Sequence, residues 1–193
     1  MWPWEHLAFG YVWYSLLSHL GRGEAPTSGP VVALGVATQL PDLIDKPLSW
    51  SLGLFSTGSA LGHSLVFAGP LCLGAVVAAE RLDRPRYGAA IAVGYASHLA
   101  ADVVSPLRSG GGLAIYRVLW PFVSLPAYET QLGFVERTAL YLRQSIAAAA
   151  TSDLLLALVA YTAVHLLVVA LWLYDGAPVL RWLLERRGTA RRR

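Results

Sequence analysis

Ser97-His98-Leu99-Ala100-Ala101-Asp102 sets a histidine and an aspartate four residues apart inside an apolar run, Ala89 to Val104. On a helix that spacing stacks the two side chains on one face, so imidazole and carboxylate can grip one ion. Ionisable groups in such a run are costly to bury and mark a function. The pattern predicts an all-α chain in a membrane, with a divalent-metal site among its helices.

Composition agrees. The chain has 193 residues, 55% hydrophobic and 14% charged, with a mean hydropathy of +0.50. A soluble domain is nearer a quarter charged. The net charge of +3 comes mainly from arginines near the ends of apolar runs, so no nucleic-acid partner is expected. The single cysteine, Cys72, lies in an apolar run, which excludes a disulfide framework and a thiolate metal site. No basic segment precedes the first apolar stretch, so a cleaved signal peptide is not expected.

Five apolar stretches follow one another: Pro3 to Leu20, Val31 to Leu40, Ser59 to Ala79, Tyr87 to Val104 and Leu154 to Tyr174. Trp2 and Trp4 mark an interfacial belt at the first, and Pro70 interrupts the third. The second is too short to span alone, and either breaks at Pro41 or continues to Phe55. Glu136 to Ala150 has the amphipathic look of an interfacial helix, and a lid over the site is one use for it. The expected fold is a polytopic helical bundle of about four to five spans. Residues 1–175 form the membrane-embedded domain and 176–193 a basic cytoplasmic tail.

Orientation follows from arginine. Arg81, Arg84 and Arg86 crowd one short loop, and Arg181, Arg186, Arg187, Arg191, Arg192 and Arg193 fill the tail. Two spans separate them, so both lie on one side, the cytoplasmic one by the positive-inside rule. His6, Asp42, Asp45, His63, His98 and Asp102 then arrive from four segments at the extracytoplasmic level. Two or three histidines with one or two carboxylates suit zinc or another divalent ion. An open position on such an ion acidifies water and polarises a carbonyl or phosphoryl oxygen. Asp45 or Glu5 is the candidate general base. His19 falls at the cytoplasmic interface, and His165, alone in the last span, is expected to bond a neighbouring helix.

These pieces carry a resemblance. His6, Gln39-Leu40-Pro41-Asp42-Leu43-Ile44-Asp45, Leu61-Gly62-His63-Ser64-Leu65, Gly94 to Asp102 and Leu119-Trp120-Pro121-Phe122 are similar to the inner-membrane-associated, LexA-binding family of metal-dependent hydrolases. The likeness covers roughly residues 1–122. It implies a multi-pass membrane protein with His6, Asp42, His63, His98 and Asp102 as ligands. Many members carry a His-Arg-Gly run where this chain has Thr57 to Gly62, which removes an obvious phosphate contact. The ligand order also resembles zinc-dependent phospholipase C and related nucleases. Their further downstream ligands have no equivalent here, so a trinuclear site is not expected.

The expected activity is metal-dependent hydrolysis of an ester or phosphoester in a lipid or other amphiphile, the partners being membrane lipids and that substrate. The alternatives are a non-enzymatic metal-binding or transport protein, and an interaction protein whose polar cluster only holds helices together.

Overall fold

Proline and hydroxyl residues set the helix starts. Pro3 opens α1 (Pro3–Arg22) and Pro85 opens α5 (Pro85–Val104), where the missing N–H of proline costs nothing. Between them lie α2 (Ser28–Ala37), α3 (Leu40–Lys46) and α4 (Leu65–Arg81), the last capped by Ser64, whose Oγ accepts from the Val66 amide. After α5 come α6 (Phe134–Thr151) and α7 (Leu154–Tyr174). The computed structural model describes residues 1–151 and 154–184, and all regular structure among them is helical. The tail arginines beyond residue 184 lie outside the described residues.

The structure decides between the two readings of the second apolar stretch and starts the helix of the third later than expected. The second is a broken helix: α2 ends before Thr38, α3 restarts at Leu40, and a wide π turn (Pro47–Ser51) closes the segment. Pro41 and Pro47 have no amide hydrogen for an unbroken ladder, which is why a continuous span to Phe55 does not form. The third stretch becomes helical only at Leu65, so His63 sits in the loop before α4. Among the described residues, one helical segment, Pro85–Ser109, is long and apolar enough to cross a membrane unaided.

α5 is the central element and packs on α1, α2 and α4. Its contact face is small: Gly88, Ala90, Gly94 and Ala101 are buried. A methyl group at Gly94 would stand 2.8 Å from the Leu34 carbonyl oxygen, so only glycine lets α2 approach so closely. Tyr11, Tyr14, Val31, Leu34 and Ala90 form one apolar cluster, and Ala68, Tyr95, Leu99 and Val118 another.

A buried carboxylate at the end of α7 ties that helix to α1. Asp175 accepts from Tyr11 Oη and Ser15 Oγ at 2.7 Å each, and its other oxygen meets His19 Nε2 at 2.7 Å. His19, expected at the cytoplasmic interface, thus also contacts this carboxylate. His165 hydrogen-bonds the Tyr161 carbonyl of its own helix, at 2.8 Å, and no neighbouring helix among the described residues. Tyr14 on α1 reaches the Arg86 carbonyl, so the α4–α5 turn and the end of α7 gather at one end of α1. Asp175→Ala strips three donors of their shared acceptor and is expected to cost about 3 kcal/mol. Limited proteolysis should then cut near α7 faster than in the wild type; unchanged cleavage would mean that packing alone holds α7.

Candidate metal centre

The break in the second segment supplies the first half of the site. Ending α2 at Ala37 leaves the Thr38 carbonyl without a helical partner, and His98 Nδ1 meets it at 2.7 Å. The opposite ring nitrogen, Nε2, therefore carries the lone pair and points away from the carbonyl. His63 is oriented in the same way by Asp45, whose Oδ2 lies 2.8 Å from His63 Nδ1. Histidines held through one nitrogen by a carbonyl or carboxylate present the other as a fixed ligand.

The two free nitrogens face each other at 3.2 Å. Carboxylates surround them. His63 Nε2 is 3.4 Å from Asp102 Oδ2 and 3.6 Å from Asp42 Oδ1. His98 Nε2 is 3.8 Å from Asp102 Oδ2 and 3.9 Å from Asp42 Oδ1. Ligands about 2.0–2.1 Å from a tetrahedral ion stand roughly 3.3–3.4 Å from one another. The cluster is close to that spacing, and the His63–His98 pair at 3.2 Å is also within hydrogen-bonding reach.

His6 completes it from α1. Its ring stacks on His98 with centroids 3.8 Å apart, and Nε2 lies 3.5 Å from Asp102 Oδ1. His6 Nδ1 and Asp102 Oδ1 are buried and have no hydrogen-bond partner among the described residues. Buried polar atoms are ordinarily satisfied, so a pair of orphans beside two facing imidazoles fits a cation-binding set. His6, His98 and Asp102 form one group with ligand atoms within 4.8 Å, and Asp42, His63 and His98 another. His98 belongs to both. With Nδ1 committed to Thr38, its one free nitrogen can serve a single ion.

All five ligand candidates read from the sequence thus converge. The two candidate bases do not. Asp45 is fully buried and accepts from the amides of Ala60, Gly62 and His63, at 2.7, 2.8 and 3.1 Å, besides the His63 ring. It has no oxygen to spare and no face on the cavity in front of the cluster. Glu5 is held by Arg108 at 2.7 Å and by the Trp2 amide at 2.6 Å. Asp45 orients His63, and Glu5 ties the start of α1 to the turn after α5.

A cavity of about 480 Å³ opens on His6, Asp42 and Asp102. Lys46, Arg117, Trp50, Tyr128 and Tyr141 share its wall, and sequence reasoning places none of them in the site. Lys46 holds Asp42 Oδ2 at 2.5 Å, which turns Oδ1 toward the histidines. Its signal is the i, i+4 spacing to Asp42. Tyr128 has none: its hydroxyl accepts from the Gly58 amide at 2.9 Å, and Arg137 lies 3.7 Å over its ring. Tyr141 brings α6 to the cavity wall, and Phe134 packs on Trp50.

Fold and site together define an all-helical protein with a largely buried three-histidine, two-aspartate cluster beside a cavity. The chain belongs to the YdjM inner membrane protein family, whose model matches residues 1–183. Membrane localisation, expected from composition, is thereby supported. No curated protein and no solved structure matches the chain.

Proposed function

We propose that this is a multi-pass membrane hydrolase that works with a divalent ion, zinc first among the candidates. The observation that carries the reading is the pair of ring nitrogens facing each other at 3.2 Å, each histidine already committed through its other nitrogen. Two lone pairs at that distance repel unless something positive lies between them.

His6, Asp42, His63, His98 and Asp102 would hold the ion. When bound, it supplies Lewis-acid polarisation of the substrate and water of lowered pKa. In the reaction, the water oxygen would bond to the carbonyl carbon or phosphorus, the bond to the leaving alcohol would break, and the water's proton would go to that alcohol.

The exposed apolar surface of α7, including Leu156, Leu166 and Leu167, supports a chain that crosses the bilayer more than once. The shared end of the α4–α5 turn and α7 supports the arginine-based orientation, with the site at the extracytoplasmic side. An amphiphilic substrate would enter from the bilayer.

Metal content of detergent-purified protein, by mass spectrometry, tests the reading. Near-stoichiometric zinc or another divalent ion is expected in the wild type, and its loss in a folded His98→Ala, Asp102→Ala double variant. If neither protein holds or takes up metal, the positive charge between the rings is a proton. The cluster is then structural, as the interaction-protein alternative requires.

A further inference from the structure

The cavity in front of the cluster has a cationic wall that the ligand set leaves unexplained. Arg117 lines it from a later helical turn (Ile115–Val118) and is half-buried, yet it pairs with no carboxylate among the described residues. Its side chain makes a single, long hydrogen bond among them, from Nη1 to the Asp102 carbonyl at 3.5 Å. Guanidinium groups suit anions that offer two oxygens to a donor fork, carboxylate or phosphoryl, and an Arg without a carboxylate partner has that fork free for one. Lys46 flanks the same cavity and spends one of its three donors on Asp42.

Charge makes the ligand class specific. Two carboxylates on the cavity wall, Asp42 and Asp102, are matched by two side-chain cations, Lys46 and Arg117. A divalent ion then leaves a surplus of positive charge that a neutral carboxylic ester would not use. The volume, about 480 Å³, admits a group well beyond a water molecule, and Trp50, Tyr128 and Pro126 give the rest of the wall an apolar character.

We infer that the cavity binds a phosphoryl group, with its non-bridging oxygens on Arg117 and Lys46 and the remainder of the molecule against the aromatic wall. The substrate is therefore a phosphoester rather than a carboxylic ester. Arg117 supplies, from another part of the chain, the contact that the missing arginine near Thr57 would have made. This inference rests on the metal-hydrolase reading but can fail without it.

The test is calorimetric titration of inorganic phosphate into detergent-purified, zinc-supplemented protein, with metal content measured on the same samples. Wild type is expected to bind phosphate, and Arg117→Ala to bind it roughly 10- to 100-fold more weakly with metal content unchanged. Arg117→Gln repeats the comparison if the alanine variant does not fold. A wild type that ignores phosphate, or a folded variant that binds it equally well, overturns the inference. Metal-bound protein that ignores phosphate leaves the metal centre standing; metal-free protein that binds phosphate through Arg117 does the reverse. Mixed phosphatidylcholine micelles with and without phosphatidic acid then locate the source. Displacement of bound phosphate by phosphatidic acid supports a lipid head group, and retention supports a soluble phosphoester.

Discussion

Asp45→Ala is expected to lower the thermal unfolding midpoint by on the order of 10 °C and to weaken zinc binding by roughly 10- to 100-fold. The two effects come from one side chain. Asp45 is the acceptor for three buried amides, of Ala60, Gly62 and His63, that shape the loop ahead of α4. Alanine leaves them unsatisfied in a place water does not reach. Each such group costs about 1–3 kcal/mol, and loss of one member of a buried charged set about 3–5 kcal/mol. The metal effect is indirect: without Oδ2 at 2.8 Å, the His63 ring loses the contact that sets its tautomer and aim. Asp45→Asn keeps one acceptor oxygen for four donors and should fall between. An alanine variant as stable as the wild type would show that the loop is shaped by something other than this carboxylate.

His63→Ala carries the largest expected loss of metal affinity, on the order of a hundredfold. A structural zinc site is worth about 10–16 kcal/mol, so one of five ligands contributes roughly 2–3 kcal/mol. His63 is 1% exposed, and its free nitrogen lies within 3.6 Å of His98, Asp102 and Asp42, so no neighbouring group can swing in to replace it. Competition against a chelating dye measures the loss. The double variant with Asp45→Ala makes the comparison sharper. If Asp45 acts on the metal only through His63, removing both should weaken zinc no further than removing His63. Losses that add in full would assign Asp45 a route to the ion of its own.

Much of the site is legible in the sequence. His98 and Asp102 are four apart on one helix, and helical geometry alone stacks them. His6, Asp42 and His63 need only the expected topology, in which alternating spans carry the start of α1, the broken second segment and the entry to α4 to the end of α5. The break itself is half visible, because Pro41 and Pro47 mark where a ladder of amide hydrogens must fail. The helix of the third apolar stretch, α4, begins later than the apolarity suggests. Ser59 to Gly62 looks like its first turn until Asp45 is seen holding the backbone of Ala60, Gly62 and His63 in a loop.

Asp45 shows most clearly where sequence reasoning stops. Three residues after Asp42 on a short helix, it looks like a second carboxylate for the same pocket. Successive positions on a helix turn by about 100°, and no local rule says which face meets the loop and which the cavity. Arg117 is the converse case. In sequence it is one basic residue in a long irregular segment, and only the return of that segment over the end of α5 sets it beside Asp102. Sequence by itself determined the helical class, the affinity for a membrane and the five side chains that converge, because these rest on composition and short-range periodicity. Tertiary structure alone decided which carboxylates face the histidine cluster, which one orients a histidine from behind, and where the cationic wall stands, because those roles depend on contacts between residues far apart in the chain.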